Sequence, residues 1–311
     1  MSLPRILLLM LQNAAQGRLR RMAADMARRV VQSPPDAPAE PTKDLPQNHQ
    51  TGLPRPENGV ASNGFGAGPK NAHLGLVFAL SIESGCFEDL LDGMVVIRGE
   101  GFAVREGGLR GRRAIVVRSG PGLDQARRAT ELLIDGHRPS RVISAGFAGA
   151  VSGNLQRNDL LVADRVRDES GGEIAVELPP GLAATLQQPG VHGGPLLTCR
   201  GVVRKPSDRR ALFERHGALA VDMETFAVAE VCRRRGVPFS SVRVVNDTAD
   251  ETLSRDVEHL LAQRTAAAQW GAALGAVLRR PASAKDFYQL RENALVASLR
   301  LAKFLAAVRF D

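Results

Sequence analysis

Two rhythms of apolar and polar positions alternate along this chain, and the switches between them mark out its elements. "HLGLVFALSIES", from His73 to Ser84, is a short unbroken apolar run suited to a buried strand, and "RRAIVVRSG", from Arg112, is a second. After "SGPG" the spacing becomes helical. Leu123, Ala126, Ala129, Leu132 and Leu133 fall on one face, and Gly136 and Pro139 close the segment. "RVISAG" predicts a third strand, followed by a small-residue turn, "GFAGAV". "DLLVADRVRD" and "GALAVD" read as strands, "ETFAVAEVCRRRG" as a helix ending at Gly236, and "FSSVRVVND" as a last strand. Strands alternating with helices across short glycine-bearing turns predict an α/β fold: one domain, residues 71–280, with a central mixed β-sheet flanked by helices. No internal repeat interrupts it.

Both ends depart from this pattern. Residues 1–31 form a basic amphipathic helix candidate whose apolar core is too brief for a signal peptide. Such a helix would suit contact with a membrane surface or a partner, although a plain extension is the simpler reading. Residues 32–70, including "SPPDAPAEPTKDLPQNHQTGLPRPENG", hold little that can be buried and predict a disordered Pro-rich linker. Residues 281–311 predict a C-terminal amphipathic helix, with Leu290, Leu295 and Leu299 near one stripe. Packing on the domain or on a second subunit is the plainer use of that stripe, and membrane docking the alternative.

Composition narrows the function classes. A formal charge of +8 over 311 residues raises the question of nucleic acid. Yet part of the excess sits in the first thirty residues, where Arg5, Arg18, Arg20, Arg21, Arg28 and Arg29 face only Asp25. Aromatic residues make up 4%, with no cluster that would serve as a base-stacking platform, so no nucleic-acid partner is expected. Three cysteines, Cys86, Cys199 and Cys232, stand far apart, which suits a reducing, cytoplasmic setting better than a disulfide framework. The six histidines lack metal-ligand spacing, so no metal is expected.

The chemistry is concentrated where strands end, as is usual for ligand sites in open α/β sheets. "ALAVDMETFAVAEV" places Asp222 and Glu224 in an otherwise apolar run, and buried carboxylates are costly unless paired or hydrogen-bonded. Glu83 follows "LVFAL", the Gly146–Gly149 turn follows "VISA", and Asn246, Asp247 and Asp250 follow "VRVV". Singly these are ordinary. Asp222 is a natural cap for a helix starting at Met223, Glu83 a surface residue at a turn, Asp247 another cap.

Together they are more specific. "ALSIESGCFEDLL", "ISAGFAGAVSGNLQRNDLLVAD", "AVDMETFAVAEVCRRRGVPF" and "VRVVNDTADE" resemble the nucleoside phosphorylase and nucleosidase superfamily over about Leu74 to Val277. The most similar branch is the methylthioadenosine and S-adenosylhomocysteine nucleosidases. The resemblance implies that fold and cleavage of a purine–ribose bond through an oxocarbenium-like sugar. It implies Asp247 as general acid to purine N7, Glu83 as the base that activates water, and Glu224 as acceptor for ribose hydroxyls. Met223 would pack on the sugar, Gly146, Phe147, Ala148 and Gly149 would let backbone approach the ligand, and Val202 and Val203 would touch the purine. Asp250 is left to a supporting or structural role.

The nucleophile decides between hydrolysis and phosphorolysis. Bacterial purine phosphorylases of the superfamily carry an arginine where Ser144 stands and a serine where Phe147 stands. Phosphate needs such fixed cationic donors, so water is the expected nucleophile, with Arg118 a residue that could in principle replace the missing charge. Phe147 also departs from the nucleosidases, which have a small residue there, and puts the 5′ side of the substrate in question. A related branch removes adenine from a lipid-substituted ribose, which the basic amphipathic ends would suit. The resemblance implies no cofactor and a homodimer. The alternatives are a phosphate-dependent purine nucleoside phosphorylase and a non-catalytic nucleoside-binding module of the same fold.

Overall fold

A computed structural model describes residues 73–98, 102–253 and 283–310, apart from the side chains of 283–290. The expectations for residues 1–31 and 32–70 lie outside the described residues. Strand β1 (Leu74–Phe78) is buried throughout and leads into helix α1 (Ser81–Glu88). Strands β2 (Asp92–Arg98), β3 (Ala103–Leu109) and β4 (Arg112–Arg118) follow as an antiparallel meander. Helix α2 (Leu123–His137) precedes β5 (Arg141–Ala150), β6 (Leu160–Asp168) and β7 (Glu173–Ala175). A single turn, α3 (Pro180–Ala183), runs into a 3-10 turn (Ala184–Gln187). Then come β8 (Val191–Thr198), α4 (Pro206–His216), β9 (Ala220–Asp222), α5 (Thr225–Arg235), β10 (Phe239–Asp247) and α6 (Ser283–Ala307).

Among the described residues, ten strands make one mixed sheet in the order β10-β6-β8-β9-β5-β1-β4-β3-β2, with β7 on β6. Because β10 also pairs in parallel with β5, strands β5, β9, β8, β6 and β10 close into a ring. The unbroken apolar run of β1 is explained by burial on both faces. Leu74, Leu76 and Phe78 pack in the cluster that includes Phe87 of α1 and Leu301 and Leu305 of α6. Val77 points the other way, into the layer of α2 and α5.

Four details differ from the sequence reading. "HLGLVFALSIES" is not one strand: the chain turns helical at Ser81, so Glu83 lies in the first turn of α1 and is buried. "GFAGAV" is not a turn, because β5 runs on to Ala150 while β10 and β9 supply its hydrogen-bond partners. Gly136 is inside α2, which ends at Arg138 in a left-handed conformation. Helix α5 starts at Thr225, not Met223, although Asp222 does cap it from the strand by accepting the Thr225 N–H at 2.9 Å.

Candidate active site

The C-terminal ends of β1, β5, β9 and β10 open on a cleft of about 330 Å³ with mainly apolar walls. Glu83, Phe147, Ala148, Gly149, Val202, Val203, Met223, Glu224 and Asp247 all border it. Of the ten residues that the resemblance assigns to catalysis or substrate contact, Gly146 alone is not part of the lining.

Glu83 is held by its own chain turn. Its Oε2 accepts the N–H groups of Ala79 (3.0 Å) and Leu80 (2.8 Å), and its Oε1 accepts Phe147 N–H at 2.9 Å. Helix α6 secures the other side through Ser298, whose hydroxyl donates to the Glu83 carbonyl at 3.2 Å. Burial pushes the Glu83 carboxyl upward, opposed by the nearby Arg243 cation and the three N–H donors. An upward shift brings a carboxylate closer to the basicity that a general base needs.

Glu224 accepts Gly122 N–H at 2.8 Å, which ties the "SGPG" loop to the cleft. Burial first, then the neighbouring Asp222 charge, pushes its carboxyl up to about 8 from an ordinary 4.5. The folded state therefore binds this proton more tightly than the unfolded chain. Its contribution to stability is full below 4.5 and is lost as pH rises through about 8. We expect the melting temperature of the ligand-free protein to fall as pH rises between about 4.5 and 8, and Glu224→Gln to flatten that decline. A pH-independent melting curve for the parent chain would contradict the assignment.

Asp222 answers to a different partner. It pairs with Arg243 at 2.7 Å and accepts the Thr198 hydroxyl at 2.7 Å, so its oxygens are committed to the fold. Arg243 is 1% exposed in the middle of β10, and it also donates to Ser144 (2.8 Å) and Thr225 (2.6 Å). Its Nη1 has no hydrogen-bond partner and lies near Glu83, across Gly146.

Asp247 ends β10 after a register shift between Val245 and Asp247, a bulge that re-aims the strand end. Its Oδ2 accepts from Arg209 of α4. Burial pushes the Asp247 carboxyl up, and Arg209 opposes the shift by charge and hydrogen bond.

The two glycines serve these pairs. A Cβ on Gly146 would lie 2.7 Å from Glu83 Oε1 and collide with Arg243. One on Gly149 would lie 2.7 Å from Asp247 Oδ2 and 3.2 Å from Arg209 Nη1. The space they leave is filled by the protein's own side chains, Glu83 and Arg243 at Gly146 and Asp247 and Arg209 at Gly149, in contrast to the expected approach of ligand to backbone. Gly149→Ala should cost about 1–3 kcal/mol in chemical denaturation, as overpacking does. A cost near zero would show that Asp247 and Arg209 have room to spare.

Arg118 does not reach the cleft. It donates to Ser84 (2.9 Å) and Glu88 (2.9 Å), and Arg105 shares Glu88 at 3.1 Å. Arg243 and Arg209 escaped the sequence reading. A cation inside the apolar strand "SSVRVVND" was a usable signal for Arg243. Arg209, one of two adjacent arginines in the polar helix "PSDRRALFERH", carried none.

The profile of the Phosphorylase superfamily matches residues 78–280. Among solved structures, the chain is similar to the 5′-methylthioadenosine/S-adenosylhomocysteine nucleosidase of Helicobacter pylori (22% identity, TM-score 0.59), covering 76% of this chain and 96% of that one. It is similar to the S-adenosylhomocysteine nucleosidase of Streptococcus pyogenes in complex with 5-methylthiotubericidin (19%, TM-score 0.60; 78% and 97% covered). It is also similar to the futalosine hydrolase of Helicobacter pylori (20%, TM-score 0.58; 76% and 96% covered). At these identities the likeness is one of fold.

Proposed function

This chain belongs to the phosphorylase superfamily, and on that footing we propose that it is a purine nucleosidase that hydrolyses the N-glycosidic bond of an adenine nucleoside. The observation that carries the reading is the meeting of three buried carboxyls, Glu83, Glu224 and Asp247, on one apolar cleft. Two of them suit the two proton transfers the reaction requires, and the third suits the sugar. Asp247, whose hold on a proton burial strengthens, gives that proton to purine N7, so the base leaves neutral. Glu83 takes a proton from water as that water attacks the anomeric carbon. Glu224 accepts from the ribose hydroxyls, and its charge, when present, favours the cationic sugar. Arg243, with its unpartnered Nη1 behind Glu83, favours the ionised form of Glu83 that can take that proton.

Water rather than phosphate is favoured by what surrounds the cleft. Ser144 is buried and bonded to Arg243 and Thr225, and Arg118 is taken by Glu88, so neither offers a free donor to a dianion. Phe147 and Val203 dry the cleft beside the ligand. The nucleosidases of similar fold, named for 5′-methylthioadenosine and S-adenosylhomocysteine, motivate the substrate panel. Methylthioadenosine, S-adenosylhomocysteine, adenosine and inosine should release free base at different rates, with an adenine nucleoside fastest. No release from any of them would remove the nucleosidase reading and leave the nucleoside-binding module.

A further inference from the structure

Arg209 makes more bonds than its surroundings on α4 require. The side chain is 1% exposed, and every polar contact it makes is to a chain segment bordering the cleft. Its Nη1 donates to the carbonyls of Ala150 (3.0 Å) at the end of β5 and Thr248 (2.9 Å) beyond β10. Its Nη2 donates to the carbonyl of Val203 (3.1 Å) and to Asp247 Oδ2. One planar guanidinium thus joins the segment placed against the purine to the carboxyl placed at N7. It leaves Oδ1 of Asp247 as the oxygen free to carry the proton. Gly149 keeps the space open, since a Cβ there would meet both partners.

We infer that Arg209 is a positioning residue that locks the Asp247 carboxyl to the Val203 segment, so that seating the purine also aims the acid. The inference rests on the reading of Asp247 as general acid. Before transfer, the protonated carboxyl is neutral and Arg209 holds its carbonyl oxygen. After transfer, the proton is on N7, the carboxylate remains, and the adjacent cation stabilises it. Burial alone would keep the proton on Asp247 but make it a weak acid, and the cation corrects that excess. The other charged groups acting on Asp247 are Glu251, after β10, and Arg157, between β5 and β6. They are paired with each other at 2.5 Å, so Arg209 is the cation committed to Asp247.

The test uses the full chain as parent, Arg209→Met and Arg209→Lys. Each is assayed on methylthioadenosine and on the 4-nitrophenyl glycoside of the same sugar, whose leaving group departs without protonation. Arg209→Met should lose roughly 10²-fold on the nucleoside, as misplacement of a reacting group does, and far less on the nitrophenyl glycoside. Its high-pH limb should move upward, because the carboxyl loses its cation. Arg209→Lys keeps the charge, and should keep the limb near the parent's while recovering part of the rate. Carbon-13 titration of the aspartate carboxyls, assigned with Asp247→Asn, should show the same upward movement in Arg209→Met without turnover. Equal losses on both substrates with an unmoved limb would make Arg209 merely structural and overturn the inference alone. A parent protein that releases neither adenine nor 4-nitrophenol would overturn the nucleosidase reading and, with it, this role.

Discussion

Asp247→Asn lowers the rate of base release by about 10²–10⁴-fold, the usual worth of a positioned general acid, and leaves nucleoside binding close to the parent's. Asparagine keeps the shape of the side chain and still offers an oxygen to Arg209, so α4 and β10 stay joined as they are now. What disappears is the proton. The purine must then leave as an anion, and the barrier rises accordingly. The limb of the pH profile that falls as pH rises, which reports deprotonation of the acid, should disappear with it. Single-turnover release from methylthioadenosine, beside a separate binding titration, checks both halves. A variant that keeps more than about a tenth of the parent rate would show that N7 receives its proton elsewhere.

Glu83→Gln is expected to be as damaging, through a different pair of effects. The base is lost, which costs about 10²–10⁴-fold, and the limb that rises with pH goes with it. The amide also fits its nest badly. The carboxylate accepts N–H donors on both oxygens, from Ala79 and Leu80 on one and from Phe147 on the other. Glutamine has one oxygen. If that oxygen faces Ala79 and Leu80, its NH₂ meets the Phe147 N–H and a buried donor goes unmatched, at about 1–3 kcal/mol. Thermal unfolding should therefore show a loss with this variant that Asp247→Asn does not share. Equal stability of the two variants would mean that Glu83 sits more loosely than its three donors imply.

How far the site could be read from the sequence depended on how local its causes are. The strands "LGLVF", "IVV" and "SSVRVVND" declare themselves, because a strand buried on both faces needs apolar residues in succession. Carboxylates at the ends of such strands stand out for the same reason, and nine of the ten residues named from sequence border one cleft. The β2–β3 pair was not legible. "DGMVVIR" and "AVREGGL" sit at the sheet edge, where half-exposed or exposed positions relax the apolar pattern. "GFAGAV" reads as a turn because its residues are small, and only the partner strands β9 and β10 extend it. Glu83 reads as a surface residue because "ALSIES" conceals a helix start inside an apolar run. Arg209 and Asp247 stand 38 positions apart, and no local pattern predicts which arginine of a polar helix turns inward.

The central claim is that water, activated at Glu83, attacks the sugar. The measurement that tests it most directly is turnover of methylthioadenosine in ¹⁸O-enriched water, with and without phosphate, followed by mass analysis of the sugar. The account predicts free adenine at the same rate in both buffers and one ¹⁸O atom on the anomeric hydroxyl. A sugar 1-phosphate formed only when phosphate is present would contradict it, and would place an anion site where Ser144 and Phe147 argue against one.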